Sequence, residues 1–197
     1  MESMNAKCHG TGTNGGASAV WVASVRGGGH SCRAVNLFLL RHAEAEPGDA
    51  DADRRLTRKG EKQVDQLATF LRKNEVEMDF REIWHSPLLR AVQTAEIFQK
   101  ELDIGSVPLF EAPGLRPEDD PRPMALRLAC SRKSVLVVGH NPHFELLASC
   151  LLSGSTEPIL IDFKKCGLLH LQRAEEPGRN RPLGHWILGW YIIPRLL

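Results

Sequence analysis

The feature that most restricts how this 197-residue chain can fold is an alternation, repeated from Val35 onward, of short apolar runs and amphipathic stretches of helical period. Asn36 to Leu40, Glu82 to His85 and Val135 to Val138 are bounded by polar junctions and too short for helices, so they read as strands. Val64, Leu67, Ala68 and Leu71 recur at i, i+3, i+4 and i+7 behind Thr57, a natural N-cap. Leu88, Ala91, Val92, Ala95, Phe98 and Leu102 form a second apolar stripe, and Phe144, Leu147, Ala148 and Leu151 a third, which Gly154 ends. Ser86-Pro87 and Asn141-Pro142 each look like a cap followed by a first-turn proline. Gly167 to Leu171 and Trp186 to Ile193 are two further strands; the last is apolar on both faces, which predicts a central place in the sheet. Strands alternating with helices predict an α/β domain with a mostly parallel sheet.

The alternation is missing from residues 1–34, which are glycine-rich with Asn, Ser and Thr and cannot bury enough to offset chain entropy. They are expected to be a disordered extension to a single domain over 35–197. The net charge is +1, with Lys and Arg scattered, so no basic footprint points to nucleic acid or to an anionic membrane surface. No apolar run approaches the about 20 residues that span a bilayer, and Ala17 to Val25 is a poor imitation of a signal-peptide centre. Cys8, Cys32, Cys130, Cys150 and Cys166 form no CxxC pair, as expected of reduced thiols, and Cys8-His9 with His30 and Cys32 lacks the spacing of a zinc site. A cytoplasmic monomer is expected.

Three strand-to-helix junctions carry the chemistry: Arg41-His42, Ser86 to Arg90, and Gly139-His140. In open α/β sheets the crevice beyond the carboxyl ends of the strands binds ligands, so two arginines and two histidines should converge there. That set lacks a Ser, Cys or Lys nucleophile and the carboxylates a metal prefers, but it suits an anion with several oxygens. Guanidinium forks bind phosphate bidentately, and a neutral imidazole in line with phosphorus is a nucleophile. Helices starting beyond Ser86-Pro87 and Asn141-Pro142 would add free N–H groups, placing Ser86 and Asn141 among the substrate-binding candidates.

Leu40-Arg41-His42-Ala43-Glu44 resembles the RHG or RHA signature of the histidine phosphatase superfamily, whose fold is phosphoglycerate mutase-like. The resemblance continues in order through Leu56-Thr57-Arg58-Lys59-Gly60, Ser86-Pro87-Leu88-Leu89-Arg90-Ala91-Val92-Gln93-Thr94-Ala95 and Val138-Gly139-His140-Asn141-Pro142. It implies a three-layer α/β/α domain, His42 as the phosphorylated nucleophile, Arg41 and Arg90 as phosphate binders, and His140 as a further phosphate ligand. No metal or cofactor is implied. The short length and Leu115 to Pro121 look most like the SixA-type branch of phosphohistidine phosphatases. The implied substrate is a phosphorylated histidine on a protein, or else a small phosphorylated metabolite.

Larger members of that superfamily carry a glutamate as general acid between the second arginine block and the Gly-His block. Here the segment offers Glu111, Glu118, Asp119 and Asp120, with Glu111, at a strand end, the first candidate. A site lacking the acid suits a phosphoramidate, whose imidazole can leave with its own proton. Two other readings stand beside the phosphatase: a mutase, for which the chain lacks enclosing insertions, and an idle phosphate-binding module, against which the four intact pocket residues argue. Residues 45–55 and 111–123 are the expected walls. Their acidic side chains, Glu46, Asp49, Asp51, Asp53, Glu118, Asp119 and Asp120, should tolerate a protein surface better than a highly anionic small molecule.

Overall fold

The computed structural model describes residues 34–48 and 50–197. The extension expected over 1–34, apart from Ala34, the Cys8 to Cys32 group and the wall residue Asp49 lie outside the described residues. Six strands form one sheet in the order β3-β2-β4-β1-β5-β6. They are β1 Val35–Arg41, β2 Glu82–His85, β3 Leu109–Glu111, β4 Val135–Gly139, β5 Leu168–Glu175 and β6 His185–Ile192. The first four are mutually parallel, and β5 and β6 run antiparallel to their neighbours.

Strand alternation sorts β1 and β4 between two cores, as the period of two requires. Leu37, Leu39, Val135 and Val137 face α3 (Pro121–Cys130) and α4 (His143–Ser153), where Met124, Leu128, Phe144, Leu147 and Leu151 close over them. Phe38, Leu40, Leu136 and Val138 face α1 (Arg58–Lys73) and α2 (Leu89–Glu101), against Val64, Leu67, Leu71 and Phe98. The result is the three-layer α/β/α arrangement. Among the described residues no helix is long and apolar enough to cross a membrane.

Three expectations are corrected. The last strand, β6, is at the sheet edge and not central. It reads as central because it sends apolar side chains to both cores, Trp186 into the α3/α4 core, Ile192 into the α1/α2 core and Trp190 against His170, although Leu188 is exposed. Ser86 does not cap α2; its Oγ accepts from Leu88 N at 3.4 Å in a turn, and the helix starts at Leu89. Asn141 does not cap α4, because its Nδ2 donates to Glu145 and to the carbonyl of Phe163, and the helix starts at His143. Thr57 does cap α1, accepting from Gly60 N, and Gly154 does end α4 in a left-handed conformation.

Candidate active site

The carboxyl ends of β1, β2 and β4 lie side by side. Arg41 pairs with Gly139 across β1 and β4, His42 N donates to Gly139 O at 2.9 Å, and Ser86 N donates to Val138 O at 3.0 Å. Each strand therefore ends at the same level and releases its next residues into one crevice. The structure brings together there all four principal candidates: the rings of His42 and His140 are 4.9 Å apart, and Arg41 and Arg90 both act electrostatically on both rings.

The other motif blocks hold the loop that carries His42. Ala43 N donates to Thr94 Oγ1, which itself donates to Arg90 O in the preceding turn of α2. Glu44 N donates to Gln63 Oε1 of α1, Thr57 N donates to Glu44 O, and Leu56 N donates to Gln93 Oε1. Gly60 permits this docking, since a Cβ there would lie 2.1 Å from Glu44 O. Gly139 does the same for β4: a Cβ would meet Phe144 Cε1 at 2.7 Å, beneath His140.

His42 Nδ1 lies 2.7 Å from Ala43 O, an acceptor, so the ring proton belongs on Nδ1 and the lone pair on Nε2. Burial pushes the pKa of His42 down to about 3; the Ala43 carbonyl opposes this, while Arg90, Arg41 and Lys165 add to it. His140, 1% exposed, is pushed down to about 2, by burial first and then by His42, Arg90, His143 and Arg41. Both imidazoles are thus neutral at physiological pH. Arg41 Nη1 and Asn141 Nδ2 donate to one carbonyl, that of Phe163, which fixes an arginine of β1 against the turn after β4. Burial lowers the pKa of Arg41 and the Glu145 carboxylate opposes it, leaving a guanidinium that stays charged.

Of the remaining candidates Asn141 joins the cluster through the carbonyl it shares with Arg41, and the others make no bond to the four residues by their side chains. Ser86 is fully buried under the β2 junction. Glu111 is exposed, its backbone pairing beside His85, and its carboxylate makes no bond to the four residues. Asp119 accepts from Arg116 N at 2.7 Å and Asp120 caps α3, so both are occupied structurally. Sequence reasoning saw that His143 could touch substrate but preferred a surface or capping place for it, whereas it is fully buried next to the pocket and pushed down to about 4 by desolvation against Asp119 and Asp120. The same reasoning missed the role of Asp51. This wall residue starts a short 3-10 turn, Asp51–Asp53; its Oδ2 and its backbone carbonyl accept from Arg90 at 3.0 and 2.7 Å. A cavity of about 670 Å³ at the far end of α4, lined among others by Arg122, Leu151 and Arg181, holds none of these residues.

Comparison with known proteins bears on the family and the fold. Residues 37–117 match the model of the histidine phosphatase superfamily, branch 1. An uncharacterized protein of Picosynechococcus is 33% identical over 146 residues, covering 70% of this chain and 85% of that protein. The structure of the protein histidine phosphatase SixA complexed with tungstate superposes with a TM-score of 0.66 at 25% identity, covering 82% of this chain and 99% of that one. A mycobacterial glucosyl-3-phosphoglycerate phosphatase shares the fold, with a TM-score of 0.60 at 18% identity over 79% of this chain and 97% of its own.

Proposed function

The chain belongs to the histidine phosphatase superfamily, in its SixA-type branch, and from that membership we propose that it hydrolyses phosphohistidine on a protein through a phosphohistidine intermediate on His42. Membership supports phosphatase activity as such, and the chemistry follows from the site. Arg41 and Arg90 take phosphoryl oxygens, and His140 contacts a third. The substrate reacts with its phosphorylated ring protonated on the second nitrogen: the His42 Nε2 lone pair attacks phosphorus, the P–N bond breaks with its electron pair left on the departing nitrogen, and a neutral imidazole leaves with the proton it already held. Water then attacks the phosphorus on His42, giving inorganic phosphate and restoring Nε2.

The observation that carries this reading is the hydrogen bond from His42 Nδ1 to Ala43 O, which presets the tautomer a nucleophile needs. The substrate class rests on the lack, among the described residues, of a protonatable carboxyl group bonded to the four site residues. Partial burial disfavours the charge of Asp51, but its bonds to Arg90 and Arg54 and their charges outweigh that and hold it below the ordinary carboxylate range. It cannot supply a proton to an alkoxide, and phosphohistidine does not require one. The alternative, a small phosphate monoester, is favoured by the glucosyl-3-phosphoglycerate phosphatase that shares the fold.

Incubation with labelled phosphoramidate, followed by a quench, tests the reading. Acid-labile, base-stable label is expected on His42, and none in His42→Ala, which should lose all turnover. Arg41→Ala and Arg90→Ala should each lose about 2–4 kcal/mol of transition-state stabilisation. Chelation with EDTA should change nothing. Glu111→Gln should leave the rates on aryl and alkyl phosphates nearly unchanged; a large loss confined to the alkyl ester would identify Glu111 as the acid and overturn the argument for phosphohistidine.

A further inference from the structure

Two arginines from different elements meet on one carboxylate at the edge of the site. Asp51 Oδ2 lies 3.0 Å from Arg90 Nη2, and Asp51 Oδ1 lies 3.0 Å from Arg54 Nη1. The backbone carbonyl of the same residue accepts from Arg90 Nη1 at 2.7 Å, and Arg54 Nε donates to Glu46 O at 2.7 Å. Arg90 is 4% exposed, so few conformers are open to it, whereas the Asp51 side chain is 51% exposed.

We propose that Asp51 is a positioning residue for the phosphoryl site: with its carboxylate and its carbonyl it grips two corners of the Arg90 guanidinium and sets the plane in which that fork meets phosphate. This rests on the reading of Arg90 as a phosphate ligand. A guanidinium has five N–H donors, so two bonds to Asp51 leave three for phosphoryl oxygens. Two acceptors from one residue fix a planar fork more firmly than one, and orientation is what a bidentate phosphate contact needs. Arg54 holds the other carboxylate oxygen, and through Glu46 O it ties the turn to the chain that leaves His42. The three side chains together keep a net positive charge, so the carboxylate orients Arg90 without cancelling the attraction for an anion. The turn after β1 and the first turn of α2 thereby become one structural unit, and the acidic wall contributes geometry instead of repulsion at this point.

The test compares wild type, Asp51→Ala, Asp51→Asn and Arg54→Ala for inorganic phosphate binding by calorimetry and for p-nitrophenyl phosphate hydrolysis. Asp51→Ala is expected to weaken phosphate binding and raise KM by about tenfold each, with a further fall in kcat. Asp51→Asn, which keeps the carbonyl bond and an oxygen acceptor, should recover part of both, and Arg54→Ala should fall between it and wild type. A smaller active fraction would lower kcat with KM and phosphate affinity unchanged, and that pattern in Asp51→Ala overturns the proposal. So does tighter phosphate binding in Asp51→Ala, which would make Asp51 a competing anion. Calorimetry does not depend on turnover, so a wild type that binds phosphate yet hydrolyses nothing would sink the hydrolase reading while the binding comparison still decides the role of Asp51.

Discussion

His42 is a nucleophile only while its Nε2 carries a lone pair, and the site enforces that state by burial and by surrounding positive charge. With a pKa near 3, His42 should lend no acid limb near pH 6.5 to kcat/KM, which reports the free enzyme. Between pH 5 and 8, once ionisation of the aryl phosphate substrate is allowed for, the profile should stay flat to within about twofold. A limb at 6 to 7 that moved when His140 was replaced would show that the pocket carries an imidazolium. Arg41, His42, Arg90 and His140 were legible in the sequence because each stands at a fixed distance from a strand end, where the topology leaves it no other place. Asp51 was not, because an acidic loop has no periodicity to mark which carboxylate meets Arg90. Ser86 and Asn141 were misjudged as helix caps for a related reason: a cap is a hydrogen bond, and residue type does not say which neighbour will take it. The Asn141 amide is drawn to Phe163 O, 22 residues away in the chain.

At the scale of elements, the short blocks around the site act as braces. The N-terminus of α1 grips the chain after His42: Thr57 and Gly60 lie against the Glu44 backbone, and Lys59 pairs with the Glu44 carboxylate at 3.0 Å. Gly60→Ala would drive a Cβ into a carbonyl oxygen that cannot swing aside. We expect a loss of about 2–4 kcal/mol in urea unfolding together with a drop in kcat, since either the helix or the His42 loop must move. Asp53→Ala, on the same turn as Asp51 but without a bond to Arg90, serves as the control and should shift stability by no more than about 0.5 kcal/mol. Most strands and three helices were readable from apolar period alone. Helix α3 was not marked, although Asp120-Pro121 is a cap followed by a first-turn proline, because its ten residues follow a loop read only for charge. The edge position of β6 was unreadable for a different reason. Apolar faces report that a strand reaches two cores, and aromatic stacking from Trp190 and Tyr191 helps it do so without a further strand.

For the whole molecule, the cost of keeping imidazoles neutral inside the fold should appear as acid sensitivity. Burial lowers the pKa of His42 to about 3, of His140 to about 2, and of His143 and His170 to about 4, against 6.5 in an unfolded chain. Above pH 6.5 both states are neutral at these sites and no stability depends on them. Below 6.5 the unfolded chain takes up protons that the folded one refuses, so stability falls as pH falls, by up to about 1.4 kcal/mol per pH unit for each group, until the folded pKa is reached. The carboxylates held below their usual range, Asp51, Glu44 and Glu82, act lower, as pH drops through their own depressed values. The interval from pH 6.5 to about 5.5, a unit above the ordinary glutamate value of 4.5, therefore isolates the histidines. Urea unfolding at pH 7.0, 6.5, 6.0 and 5.5 should show a steepening decline that approaches the slope of several protons. His170 stacks on Phe38 and Trp190 away from the phosphoryl pocket, so His170→Phe should flatten that slope by about one proton while leaving phosphate affinity unchanged. Stability independent of pH across this interval would mean that the buried rings take up protons as readily in the fold as in the unfolded chain, and the argument that burial keeps His42 neutral would fall with it.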